Sequence, residues 1–246
     1  MRLYGKNPAS ERLKSNPKSI RKIYLQEGFD DAAYFHMKAK QWAIPVMVIP
    51  RSRMLKIARN VNTQGILVDV EDFSYVPFDE LLEQSRKKRR TLLFLDEVND
   101  PQNLGAIMRS AACLGNFSII LPTHDSVSVT EAVLRVASGG DNFVAVAKVA
   151  NLGQAIKSAK ESGYFIFGAV VKGGQRLEEV SLPSPVGLVV GSEQKGIRDV
   201  ILKHLDLPVT IPMAVDRLSL NVAHAVTILC YEITRQRWEH EKQKAK

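Results

Sequence analysis

Three short segments of this 246-residue chain carry residue types that can do chemistry, each where an apolar run ends. The first runs from Leu95 through Asp100-Pro101-Gln102-Asn103-Leu104-Gly105 to Arg109. A strand ends there, a proline turn follows, and Asn103 falls where a helix N-cap belongs. Leu104, Ile107, Met108 and Ala111 form the apolar stripe of that helix. Arg109 lies off the stripe, one turn above Gly105 and Ala106, whose small side chains leave room for another molecule beside a long guanidinium. The second segment is a buried strand ending in the loop Gly191-Ser192-Glu193-Gln194-Lys195-Gly196. Ligands of parallel α/β proteins bind at the carboxyl ends of strands, and glycine lets backbone approach them closely. Ile197 follows Gly196 where a phosphate loop needs Lys, and no Gly-x-Gly-x-x-Gly occurs, so neither a nucleoside triphosphate nor a dinucleotide is indicated. The third segment leads from Ile211-Pro212-Met213 through Ser219-Leu220-Asn221 into a final helix, with Ser219 or Asn221 as its natural cap. Taken singly, capping and turn formation explain each segment.

The elements that must position these segments follow from hydrophobic period. Strands are expected at Ile20–Leu25, Val46–Ile49 and Gly65–Val70, with helices at Asp31–Gln41 and Ser52–Arg59. This is a small α/β unit over residues 1–75. A short helix over Phe78–Gln84 and the charge run Ser85–Arg90 make a basic linker, residues 76–90. Beyond it, strands at Leu92–Leu95, Phe117–Leu121, Phe143–Val146, Tyr164–Val171, Gly187–Val190 and Leu207–Ile211 alternate with helices. The last helix covers Asn221–Trp238, and the polar tail Glu239–Lys246 is expected to fray. Apolar strands alternating with helices imply a largely parallel sheet over residues 91–246.

Charge divides the chain at the same place. Residues 1–90 carry 18 Lys and Arg against 10 Asp and Glu, whereas the remainder carries 16 of each. The whole excess of +8 therefore sits in the first third, as expected where one part grips a polyanion and the other does something else. Arg12, Lys14, Lys18, Arg21 and Lys22 are the candidate phosphate contacts, with Arg86–Arg90 in addition. The absence of a long apolar run and of an apolar signal core points to a cytoplasmic protein without a membrane partner. Cys113 and Cys230 sit in small or apolar helical contexts without metal-ligand spacing, so buried free thiols and no metal site are expected.

In this order and spacing the three segments resemble the three motifs of the SpoU/TrmH family of RNA 2′-O-ribose methyltransferases. The match rests on Asn103 with Leu104-Gly105 and Arg109, on Gly191-Ser192-Glu193 with Lys195-Gly196, and on Ile211-Pro212-Met213 with Ser219-Leu220-Asn221. Ser138-Gly139-Gly140 resembles a further small-residue element of the family, and Gln194 departs from the glycine often found in its loop. Tyr4-Gly5-Lys6-Asn7-Pro8 and the strand Ile20–Leu25 make residues 1–75 similar to the family's L30e-like substrate-binding domain.

The resemblance implies a SPOUT-class α/β domain, a parallel sheet with a deep trefoil knot, preceded by that smaller domain. It implies a homodimer with active sites near the subunit interface, S-adenosylmethionine as methyl donor without a metal, and RNA as partner. By the two-domain layout that RNA is ribosomal, with a guanosine of the large-subunit RNA as target. Transfer RNA under the same chemistry, and a ribosome-assembly protein without catalysis, are the alternatives, the latter disfavoured by the intact motifs. Asn103, Arg109, Glu193, Ser219 and Asn221 are then the catalytic set, and Leu188, Gly191, Ile211, Met213, Ser219 and Leu220 hold the donor. An arginine base is physically awkward because guanidinium stays protonated. Arg109 is better suited to binding a phosphate and stabilising charge on the 2′-oxygen.

Overall fold

A computed structural model of the chain describes residues 1–59, 61–215 and 217–244. Its elements are β1 (Arg2–Tyr4), α1 (Lys6–Ser15), β2 (Ile20–Gln26), α2 (Ala32–Gln41), β3 (Val46–Ile49), α3 (Arg51–Ile57) and β4 (Ile66–Val70). Then come α4 (Phe78–Lys87), β5 (Thr91–Asp96), α5 (Pro101–Leu114), β6 (Phe117–Pro122), α6 (Glu131–Ala137), β7 (Ala145–Val149), α7 (Leu152–Glu161) and β8 (Phe165–Ala169). The chain ends with β9 (Gln175–Arg176), β10 (Val186–Gly191), α8 (Asp199–Leu202), β11 (Leu207–Thr210) and α9 (Val222–Lys244).

Two sheets result. The first has the order β1-β4-β2-β3, with β4 antiparallel to both neighbours and β3 parallel to β2. The second has the order β7-β6-β5-β10-β8-β11-β9 and is parallel throughout. Helices cover both of its faces, so its central strands are apolar on both sides: every residue of β5 and β6 is buried.

Several expectations shift. The basic run is not a free linker, because α4 extends through Lys87 and buries Leu81, Leu82 and Ser85. Leu81 and Leu82 join the cluster of Leu92, Phe94 and Ile120, and Ser85 Oγ lies 3.0 Å from Ser118 Oγ. Charge marks the exposed face of this helix, while its leucines place it on the second sheet. The strand expected at Phe143–Val146 starts at Ala145, because Gly140–Asn142 forms a 3₁₀ turn first. The tail expected to fray continues α9 to Lys244, and Ala245 and Lys246 lie outside the described residues. Arg235 helps to hold that extension, pairing with Glu232 at 2.7 Å and Glu239 at 2.5 Å. Of the two free cysteines only Cys230 is buried, and burial pushes its thiol far up; Cys113 is exposed on α5.

The two parts also meet through polar groups. Tyr4 Oη donates to Glu131 Oε2 at 3.2 Å, and the Arg2 backbone N–H donates to Glu131 Oε1 at 2.9 Å. Arg12, expected to touch phosphate, is 8% exposed and its guanidinium is paired with Asp141 across the domain boundary. That corrects its assignment: an arginine consumed by a buried carboxylate cannot also face RNA. Lys14, Lys18 and Arg21 are exposed, and Lys22 is half-buried over the Tyr24 ring.

Candidate active site

The site forms where β5, β8 and β10 end side by side. Asp100, not Asn103, caps α5, its side chain accepting from the Gln102 N–H at 2.8 Å. Asn103 therefore sits inside the first turn, buried, with its amide free for other work. Its Nδ2 donates to Glu193 Oε1 at 3.2 Å. Asn221 is the true cap of α9, its Oδ1 accepting from the Ala223 N–H at 2.9 Å. Its Nδ2 donates to Asn103 Oδ1 at 2.9 Å and also to Glu193 Oε1. The Val222 N–H points at the same carboxylate oxygen at 3.4 Å, so Glu193 stands at the positive end of α9. Three segments separated by 90 and 28 residues thus close on one carboxylate.

Beside this cluster opens a cavity of about 420 Å³ whose walls are largely apolar side chains and loop backbone. Gly191, Ile211, Met213, Ser219 and Leu220 line it, as do Glu193 and Val222. Leu188 does not. It is fully buried in the middle of β10, paired with Leu93 and Phe167, and belongs to the core. The strand end and not its middle faces the cavity, which is why that expectation fails. Ala169, Val170 and Val171, at the end of β8, line the cavity and carry no motif that could have announced them. Only the placement of β8 next to β10 brings them there.

The loop itself is braced from below. Ser192 and Gly196 bridge, folding the loop so tightly that a Cβ on Gly191 would lie 2.0 Å from the Gly196 carbonyl. Gly191 is thus demanded by its own loop as well as by the cavity it lines. At the far end of the loop, Arg198 Nε donates to Asp96 Oδ1 at 2.8 Å and the Arg198 N–H to Oδ2 at 3.0 Å. Asp96 is wholly buried at the end of β5, and the carboxylate raises the Arg198 pKa further above its ordinary value. Lys195 and Arg198 also reach Glu97, at 3.3 and 3.5 Å. Sequence reasoning passed over this clamp, although an Asp at a strand's carboxyl end was its visible signal.

Arg109 is exposed on α5 and belongs neither to the Glu193 cluster nor to the cavity wall. Six residues from Asn103, it lies about 9 Å further along the helix and about 120° around it. One chain does not direct both side chains into the same space. Among the described residues no group of His, Cys, Asp and Glu is placed to hold a metal ion.

A parallel sheet with a loop-built, glycine-folded cavity at the carboxyl ends of its strands is a small-molecule-binding α/β domain of enzymatic type. The family models for SpoU rRNA methylase and for RNA 2′-O ribose methyltransferase substrate binding match residues 90–231 and 2–76. The chain belongs to the SpoU family of RNA methyltransferases. A 23S rRNA (guanosine-2′-O-)-methyltransferase from Coxiella burnetii, RlmB, is 36% identical over 96% of this chain and 95% of its own length. An uncharacterised tRNA/rRNA methyltransferase from Synechocystis is 37% identical over 75% of this chain, which spans 49% of that longer protein. Among solved structures, an S-adenosylmethionine-bound rRNA methyltransferase from Sinorhizobium meliloti shares the fold, with a TM-score of 0.78 at 21% identity over 95% of this chain and 86% of its own.

Proposed function

We propose that this protein transfers a methyl group from S-adenosylmethionine to a ribose 2′-hydroxyl of RNA, the target being a guanosine of large-subunit ribosomal RNA. The observation that carries the reading is the Asn103–Glu193–Asn221 cluster at the rim of the apolar cavity. The cavity fits a donor of this chemistry: apolar walls suit a ring and a sulfonium's methyl, and loop backbone supplies directional groups. Gly191, Ile211, Met213 and Leu220 would hold the donor, with Ser219 at the ribose end. When bound, the donor supplies an already activated methyl, so the protein's task is to orient the hydroxyl and manage its charge.

Glu193, fixed through one oxygen by two amides, would orient the target ribose through the other. Arg109 would bind the adjoining phosphate and stabilise the 2′-oxygen as charge develops. Its distance from Asn103 along α5 supports a site completed by a second copy of the chain. The exposed Leu218, Ile228 and Tyr231 supply apolar surface for that pairing. The deep trefoil knot belongs to the same reading, supported by β10 entering the sheet between the earlier strands β5 and β8. RNA affinity would come from the amino-terminal part, through the exposed Lys14, Lys18 and Arg21.

The name of the Coxiella relative favours ribosomal RNA, and that of the Synechocystis relative leaves transfer RNA open for that protein. Mapping 2′-O-methylation across both RNA classes, with and without the gene, tests the target. Loss of one ribosomal guanosine methylation is expected, and loss only in transfer RNA moves the target. With purified protein, Arg109→Ala is expected to lose turnover by about 100-fold or more while donor affinity holds. No methylation of any RNA by the wild type overturns the reading.

A further inference from the structure

The Arg12–Asp141 pair lies where two domains and the carrier of Arg109 come together. Arg12 comes from α1, and its Nη1 also donates to Ser19 Oγ at 3.3 Å. Asp141 is equally buried, in the 3₁₀ turn that follows α6. That turn is entered through two consecutive left-handed residues, Ser138 at φ 51° and Gly139 at φ 96°. It is wedged tightly on both sides. A Cβ on Gly139 would lie 2.5 Å from Glu11 Cγ of α1, and a Cβ on Gly140 would lie 3.0 Å from Arg109 Cα and 3.1 Å from the Met108 carbonyl of α5. The turn is therefore a spacer two glycines thick, with the RNA-binding domain on one side and the backbone of Arg109 on the other. Glu131, at the other end of α6, is held by Arg2 and Tyr4 of the same domain.

We propose that Arg12 is a positioning residue: by holding Asp141 it sets the turn against α5 and so places Arg109. This rests on the reading of Arg109 as the RNA-side catalytic group. Close-packed interiors transmit displacement instead of absorbing it, and the turn lies so close to α5 that a Cβ added to Gly140 would be 3.0 Å from Arg109 Cα. Arg12 Nε and Asn142 Oδ1 are buried without a hydrogen-bond partner among the described residues. Burial raises the Asp141 carboxyl pKa, and the Arg12 guanidinium opposes that rise, so the carboxylate depends on its partner from the other domain.

The test uses the 246-residue protein and three variants, Arg12→Ala, Arg12→Lys and Gly140→Ala, with Arg109→Ala as reference. Methylation kinetics, donor binding by calorimetry and amide hydrogen exchange of residues 108–112 are measured well below each melting temperature. Arg12→Ala is expected to lower kcat by roughly tenfold, with the RNA KM and the donor Kd within about twofold of wild type. Exchange across residues 108–112 should speed up. Arg12→Lys should recover part of the rate. Gly140→Ala, which presses on Arg109 with the ion pair intact, should lose rate as well. Unchanged exchange at residues 108–112 overturns the proposal, as does a loss confined to the RNA KM, which would make Arg12 a phosphate ligand. Should Arg109→Ala turn over like wild type, the catalytic reading of Arg109 fails, and the exchange measurement still decides whether Arg12 governs α5.

Discussion

Asn221 shows how much one side chain can be asked to do. Its carbonyl oxygen caps α9 while its amide reaches Asn103 and Glu193, so helix start and site are one object. The two duties can be separated. Asn221→Ser keeps a good cap but is too short for the amide's reach, whereas Asn221→Ala loses both. Asn221→Ala is expected to cost about 1 kcal/mol of stability and Asn221→Ser only a few tenths, read by thermal melting. Both should lose most methylation. An active serine variant would show that capping alone explains the residue. Asp96 and Arg198 are another such pair, one wholly buried and the other tied to it by side chain and backbone. A buried carboxylate tolerates its site only with such partners, and the loop above inherits that rigidity.

At the scale of elements, α5 is held between α6, β6 and α9, and its small residues decide how closely. A Cβ on Gly105 would lie 2.5 Å from Val136 Cβ and 2.8 Å from the Val133 carbonyl. Alanine is worth up to about 1 kcal/mol over glycine in a helix, but overpacking here costs about 1–3 kcal/mol. Gly105→Ala is therefore expected to lower the melting temperature, by about 2–4 °C for each net kcal/mol lost. A higher melting temperature would mean that α5 and α6 part freely. On the other flank of the helix Ser110 and Thr227 share a 2.7 Å hydrogen bond with α9. α5 thus carries Asn103 and Arg109 on a frame fixed from two sides.

For the whole molecule, the charge boundary and the structural boundary differ. Net charge changes after Arg90, but α4 already packs on the second sheet through Leu81 and Leu82. Burying each leucine contributes about 1.5–3 kcal/mol, so removing α4 takes a large part of a domain's usual 5–15 kcal/mol. A protein starting at Pro77 is expected to fold and bind the donor, whereas one starting at Thr91 should aggregate or melt early; equal stability of the two would deny α4 its structural role. Without α1, Asp141 loses Arg12, so the shorter protein should also be a poor methyltransferase. Pairing of two copies is tested at the same scale. The wild type is expected to sediment as a dimer at micromolar concentration. Tyr231→Asp, placing a charge on a side chain 53% exposed in the single chain, should shift it toward monomer and lower methylation. A dimer unaffected by this change would put the interface elsewhere.

Local chemistry is what the sequence by itself determined: strands from apolar runs, turns from Gly and Pro, and the motif residues that cap helices or end strands. Those depend on near neighbours along the chain. Gly191, Ile211, Met213, Ser219 and Leu220 were grouped by the family resemblance instead, and the structure places these five around one cavity. Tertiary structure decided what depends on distant partners. Strand order put the end of β8 beside β10 and made Ala169–Val171 a wall. Depth in the sheet took Leu188 into the core, because the middle of a central strand is covered on both faces. Domain docking buried Arg12 against Asp141, 129 residues away, turning an apparent phosphate contact into an internal ion pair. A residue's charge is written in its letter, but its solvent exposure is set by whatever the rest of the chain packs against it.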